Sequence, residues 1–222
     1  MAEEKTRSRI YLVRHCDVHN PEGIIYGFRP GTHLSAYGVA QARTLGTFFK
    51  QRPIVAIITS PLERAQETAS IIADAHTPPL SLTVSDDLRE ADFNKHLEGI
   101  KRPLIPLLRP LWLIHLLAPG LLPNDESVNA QAQRMFRAIH TAQATYPTGD
   151  VILVSHGDPI QSLWITATQR SRYAIHHLQC AKGGMLILDI TDGPRISLQY
   201  LSPLDIRFRA AHPDSHEESH VH

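Results

Sequence analysis

Arg9-Ile10-Tyr11-Leu12-Val13-Arg14-His15 is the stretch on which the reading of this chain turns: an apolar run that stops abruptly at arginine and histidine. An unbroken run of this length, rich in β-branched residues, fits a strand buried on both faces of a parallel sheet. Three more runs share its character, at residues 54–59, 151–155 and 185–190. Residues 81–85 and 195–201 alternate more weakly and read as strands at the sheet margin.

Helical patterns separate these runs. Ser35 is placed to cap a helix, with Leu34 and Val39 as a hydrophobic staple. Ser60-Pro61-Leu62-Glu63 offers a capping box, followed by Leu62, Ala65, Ala69 and Ile72 at helical spacing. Asp125 or Ser127 opens a third helix, with Val128, Ala132, Met135, Ile139 and Ala142 as its buried stripe. Asp158-Pro159 begins a fourth, which buries Ile160, Leu163, Trp164 and Ala167; Asp158 is read as its N-cap. Strands alternating with helices predict a three-layer α/β/α sandwich with a mostly parallel sheet. Residues 1–210 are expected to form a single α/β domain. An inserted helical lid is expected at about 100–124, and a disordered polar tail at 211–222.

The 222 residues are 42% hydrophobic and carry equal numbers of acidic and basic side chains, enough for one well-filled core. Zero net charge argues against a nucleic-acid or anionic-membrane surface, so any preference for anions must be local. Residues 104–122 are leucine-rich. They also hold Arg109, His115, Pro106, Pro110 and Pro119, which would leave charge and unpaired carbonyls in lipid, so a membrane span is rejected. That stretch is read instead as a short helix packed over a pocket, in preference to an apolar lid that selects substrate. Arg102 and Arg109 are candidate contacts to a second anionic group. Cys16 and Cys180 make no disulfide framework, and the polar MAEEKTRSR start has no secretion signal; a cytoplasmic location is expected.

Three strands end alike: residues 9–13 run into Arg14-His15, residues 54–59 into Ser60-Pro61 with Arg64 one turn on, and residues 151–155 into His156-Gly157. In a parallel sheet these ends share one edge, where open α/β folds bind ligands. Two arginine forks matched to phosphate oxygens would therefore meet two histidines. Histidine can attack phosphorus, and neighbouring arginine charge keeps it neutral and nucleophilic. His15 is the candidate nucleophile, Arg14 and Arg64 the clamp, and His156 a donor to the charge that develops on the phosphoryl oxygens.

LVRHCDVHN, SPLERAQETA, LREADF and VSHGDP, in that order, resemble the histidine phosphatase superfamily, the phosphoglycerate-mutase-like family. The resemblance runs from about residue 10 to residue 190. It implies a phosphohistidine on His15, a phosphate pocket of Arg14, Arg64 and His156, and Glu90 as the acid that protonates the leaving group and later activates water. Asp92 is the second candidate for that acid. It further implies a small phosphorylated substrate, hydrolysed with no cofactor and no metal. Two features depart from the family pattern: Cys16 stands where the family has glycine, and Asn20 lies one position closer to the nucleophile than the family's phosphate-binding asparagine. Asn20 is kept as a candidate substrate contact.

Two rivals accompany phosphomonoester hydrolysis. One is a cofactor-dependent phosphoglycerate mutase, although mutases of the family generally carry a longer insertion. The other is a phosphate- or phosphoprotein-binding module without catalysis, for which Cys16 is the motive. Cys16 itself is read as a small buried side chain rather than a redox thiol, and a cysteine nucleophile is rejected because no arginine follows at phosphate-cradling spacing. His176-His177 and the tail residues His212, His216, His220 and His222 are read as solvent-exposed rather than metal-binding.

Overall fold

Ile10 and Leu12 point one way along their strand and Tyr11 and Val13 the other, yet all four are fully buried, so apolar layers must cover both faces. A computed structural model of the chain, which describes residues 8–92, 97–108, 126–171, 178–190 and 196–212, shows those layers. The strands are β1 (Ser8–Arg14), β2 (Ile54–Thr59), β3 (Leu82–Val84), β4 (Asp150–Ser155), β5 (Met185–Ile190) and β6 (Ile196–Leu201). They form one sheet in the order β3-β2-β4-β1-β5-β6. β3, β2, β4 and β1 are mutually parallel, β5 runs against β1, and β6 runs against β5. The two weakly alternating segments are the sheet edges, as their patterning predicts.

Helices α1 (Ala36–Phe49), α2 (Glu63–Asp74) and α5 (Pro203–Ala211) cover one face. There Leu45, Phe48, Phe49, Ala69, Ile72 and Ile206 pack against Tyr11, Val13, Ile57, Ile152 and Val154. Helices α3 (Val128–Thr145) and α4 (Gly157–Ala167) cover the other. On that side Met135, Ile139, Ala142, Ile160 and Leu163 meet Ile10, Leu12, Ile58, Leu153 and Leu188. Each large aliphatic side chain so buried contributes about 1.5–3 kcal/mol. The expected three-layer sandwich is present, with every residue of the predicted α3 stripe buried.

The helix starts divide into expected and unexpected ones. Ser35 caps α1 and Ser127 caps α3, each accepting from the backbone N–H three residues on. Leu34 and Val39 pack in one cluster, as the staple requires. Ser60, by contrast, is no cap: α2 begins at Glu63 with Leu62 at the N-cap and no side-chain cap bond. Asp158 is not a cap either, since His156 holds that position and Asp158 lies inside the first turn of α4. Both differences put polar groups that local sequence would use for capping into the cleft instead.

Of the stretch read as a lid, residues 109–125 lie outside the described residues, Arg109 and His115 among them. Its root is a 3-10 turn, Arg102–Leu104, followed by one helical turn, Ile105–Leu108. Only Ile105 of that helical turn is buried, while Leu104, Leu107 and Leu108 are exposed, so at this end the leucines do not form a buried face. Ile105 joins Leu97 and Ile100 against Ile25 in a small cluster of its own. The stretch read as a tail differs at its first residue, because Ala211 still belongs to α5 and His212 ends it. His176, His177, His216, His220 and His222 lie outside the described residues. No helix among the described residues is long and apolar enough to cross a membrane.

Gly38 exists for close approach. A Cβ there would lie 1.9 Å from the Asp17 carbonyl oxygen, just beyond the strand end of β1. Gly38→Ala should cost about 2 kcal/mol or more by forcing α1 off that turn. Urea unfolding that gave a wild-type midpoint would contradict the packing described.

Candidate active site

The pairing of β1 with β4 places Arg14 beside Ser155, and the next backbone bond, His15 N–H to Ser155 C=O at 2.9 Å, carries the alignment past the strand ends. His15 and His156 therefore follow adjacent strands, and their ring centroids are 5.1 Å apart. On the other side of β4, β2 delivers Ser60, whose Oγ lies 2.7 Å from His156 Nε2. From the first turn of α2, Arg64 reaches the same cleft, with Nη2 3.8 Å from Glu90 Oε2. Glu90 follows a 3-10 turn, Asp86–Leu88, that leaves the end of β3. Its Oε2 is also 3.8 Å from His156 Nδ1. His15, Arg14, Arg64 and His156 thus converge, as their strand-end positions predict, and Glu90, which only the family resemblance points to, joins them.

Hydrogen bonding gives His15 a direction. Its Nδ1 lies 2.8 Å from the Cys16 carbonyl oxygen, which can only accept, so Nδ1 carries the proton and Nε2 keeps a lone pair. Burial, reinforced by the charges of Arg64 and Arg14, holds the ring's pKa well below the usual histidine range. The result is a neutral imidazole with a free, basic nitrogen. His156 is depressed in the same way, by burial first and then by Arg64 and His15.

Glu90 is pushed in the opposite direction. Burial, with a smaller contribution from the Asp158 charge, raises its carboxyl to about 7, against the pull of Arg64. Its Oε1 accepts from the Ala91 N–H at 3.0 Å. Asp158, which local sequence assigns to capping, is therefore an electrostatic neighbour of the acid.

Several buried donors here have no protein partner. Among the described residues, the fully buried side-chain N and O atoms without one are Arg14 Nε, Arg64 Nε, His156 Nδ1 and His76 Nε2. Three of the four belong to the cleft. Leaving a buried donor unpaired costs about 1–3 kcal/mol, a penalty that an anion with several acceptor oxygens offsets. Arg14 and Arg64 are fixed through their remaining nitrogens, Arg14 Nη1 to Cys180 O at 2.6 Å and Arg64 Nη2 to Gly27 O at 2.8 Å. Gly157 lets the Arg14 guanidinium lie close, since a Cβ there would be 2.9 Å from its central carbon.

The remaining expectations fare differently. The Asn20 amide donates to Ile24 O and accepts from Ile24 N–H, bonds that shape its own loop. Asp92 accepts from Arg89 at 2.9 Å. Cys16 is fully buried, its thiol pushed up to about 12 by burial, while its backbone N–H donates to Thr68 Oγ1. The loop that begins at Tyr26 is one that the sequence offers for substrate contacts, whereas sequence reasoning missed Lys182. The Tyr26 ring lies 6.3 Å from that of His15 and 4.8 Å from the Arg64 guanidinium. Lys182 pairs with Asp17 at 2.8 Å and sits 5.8 Å from the Tyr26 ring. Asp17 lies only two positions past His15, but nothing in the local sequence pairs it with a lysine 165 residues away.

Comparison with known proteins places the chain in a family. Residues 10–201 match the family model of the histidine phosphatase superfamily, branch 1, and the chain belongs to that superfamily. It is 36% identical over 192 residues to the uncharacterized protein Rv0525 of Mycobacterium tuberculosis, covering 85% of this chain and 93% of that one. A Klebsiella pneumoniae protein named "Probable phosphoglycerate mutase GpmB" is 29% identical over 191 residues, 84% of this chain and 86% of its own. The crystal structure of the alpha-ribazole phosphatase from Shigella flexneri superposes with a TM-score of 0.72 at 24% identity, covering 87% of this chain and 96% of that one. This last likeness concerns the fold.

The raised carboxyl makes a prediction about stability. Because the folded-state pKa of Glu90 is near 7 against an ordinary 4.5, its protonated form favours the fold. That contribution is fully present below the ordinary value and is lost as pH rises through about 7. Glu90→Gln removes the titration, so its melting temperature relative to wild type should rise between about pH 5 and pH 8. A difference that stays constant across that range would refute the buried carboxyl.

Proposed function

We propose that the chain hydrolyses a small phosphomonoester through a phosphohistidine on His15, without a metal. The observation that carries this reading is the trio of buried, unpartnered donors, Arg14 Nε, Arg64 Nε and His156 Nδ1, gathered around a neutral histidine. They match a phosphoryl group, whose three equatorial oxygens can take them all.

In the first step His15 Nε2 attacks phosphorus in line with the leaving oxygen. The N–P bond forms as the P–O bond breaks, and Glu90 gives its proton to the departing alcohol. Arg14 and Arg64 balance the charge on the equatorial oxygens. His156 donates from Nδ1 when the Ser60 hydroxyl donates to its Nε2. In the second step the Glu90 carboxylate takes a proton from water, which attacks phosphorus and releases inorganic phosphate. Both side chains return to their starting states. A carboxyl near pKa 7 suits both duties, since the two forms lie close in free energy at neutral pH. Cys16 and Cys180, both free and buried, are compatible with a reducing cytoplasm.

The relationship to a protein named as a phosphoglycerate mutase keeps one alternative fate for the phosphoenzyme, transfer back to a bound acceptor. The choice is made by product. Para-nitrophenyl phosphate should be hydrolysed in excess chelator, with acid-labile phosphate trapped on His15, and His15→Ala should lose activity by at least about a thousandfold. Full activity in that variant would end the proposal. Interconversion of phosphoglycerates faster than release of phosphate would move it to the mutase.

A further inference from the structure

Arg134, in α3, is among the largest fully buried side chains of the protein, although its type is rarely found inside. All five of its N–H donors have acceptors. Nη1 donates to Asp87 O at 2.8 Å and to Arg89 O at 2.7 Å. Nη2 donates to Glu90 O at 3.3 Å and to Glu126 Oε2 at 3.0 Å. Nε donates to Glu126 Oε1 at 2.6 Å, completing a two-toothed fork. Three of the five bonds therefore hold the backbone that carries Glu90, and the other two go to the partly exposed Glu126 carboxylate.

An ion pair inside a protein is poor evidence for stability, since desolvation cancels much of the attraction. Its geometry is more informative. Carbonyls 87, 89 and 90 converge on one guanidinium plane, which allows the turn after β3 a single arrangement. Arg134 does not itself touch the cleft, yet the peptide it grips belongs to Glu90, whose carboxylate lies 3.8 Å from both Arg64 and His156. A small shift of a proton donor relative to its acceptor oxygen costs rate steeply.

We propose that Arg134, braced by Glu126, is a positioning residue for the Glu90 proton donor. This rests on the role of Glu90 given above, and the two claims part in the experiment. kcat/KM reports the step that forms the phosphoenzyme, so protonation of the leaving group is read by comparing an alkyl phosphomonoester with para-nitrophenyl phosphate. Alkoxide needs the proton and para-nitrophenolate hardly does. Glu90→Gln should lower kcat/KM on the alkyl ester at least about tenfold more than on the aryl ester. Arg134→Lys keeps the charge but cannot satisfy five acceptors, and it should show the same leaving-group selectivity. In a Glu90→Gln background it should add no further selectivity.

Equal losses on both esters, or a loss in the double variant that is the sum of the two singles, would show Arg134 to be structural only and overturn the proposal. Should Arg134→Lys fail to fold, Glu126→Gln loosens the fork while leaving the carbonyl contacts, and it must show the selectivity in weaker form for the proposal to stand. A Glu90→Gln enzyme without selectivity would reject the acid itself, and with it any residue that positions it.

Discussion

The hydrogen bond from His15 N–H to Ser155 C=O, at 2.9 Å, is the constraint on which the rest of this site depends. It continues the parallel ladder of β1 and β4 beyond the last paired residues and so fixes where two histidines from distant parts of the chain emerge. A slip of one residue would turn every side chain of β1 to the opposite face, exposing Tyr11 and Val13 to the wrong layer. The same packing that buries those residues therefore sets the 5.1 Å separation of the two rings. Core and catalytic geometry are one specification here.

Burial then sorts the titrating groups. Taking histidine out of water beside two arginines disfavours the imidazolium, whereas taking a carboxyl out of water beside another carboxylate disfavours its anion. One environment thus holds a neutral imidazole beside a protonated carboxyl at the same pH. The cost is a set of buried donors without partners, an arrangement that a cleft evolved only for stability would not retain.

Much of this was legible in the sequence, because the signals were local. Strand runs ending in Arg14-His15 and His156 place functional groups on one sheet edge, and the sandwich follows from alternating periodicities. What local reading got wrong has one physical cause: polar groups at helix starts have two possible employers. Ser60 and Asp158 look like caps by spacing. Ser60 instead meets a histidine 96 residues away, and the Asp158 charge adds to the effect of burial on the Glu90 carboxyl. Arg134 and Lys182 were invisible for the same reason, since an arginine in a helical pattern and a lysine after a strand gap look like surface residues until their carbonyl or carboxylate partners are known. Asn20 shows the converse, a residue close to the right spacing whose amide is consumed by its own loop.

Packing also fixes what borders the cleft. Arg14, His15 and His156 stand at strand ends rooted in the two large clusters that fill the sandwich. Tyr26 packs against the first of those clusters, whereas its neighbour on the loop, Ile25, packs with Leu97, Ile100 and Ile105 in a third. Two backbone bonds, Ile25 N–H to Ile100 O and Gly99 N–H to Ile25 O, tie that loop to the segment after Glu90. Tyr26 is therefore held from two sides, by the cluster that covers the sheet and, through Ile25, by the segment after Glu90. Its distance from the His15 ring, 6.3 Å, follows from the packing of the core as well as from the loop that carries it.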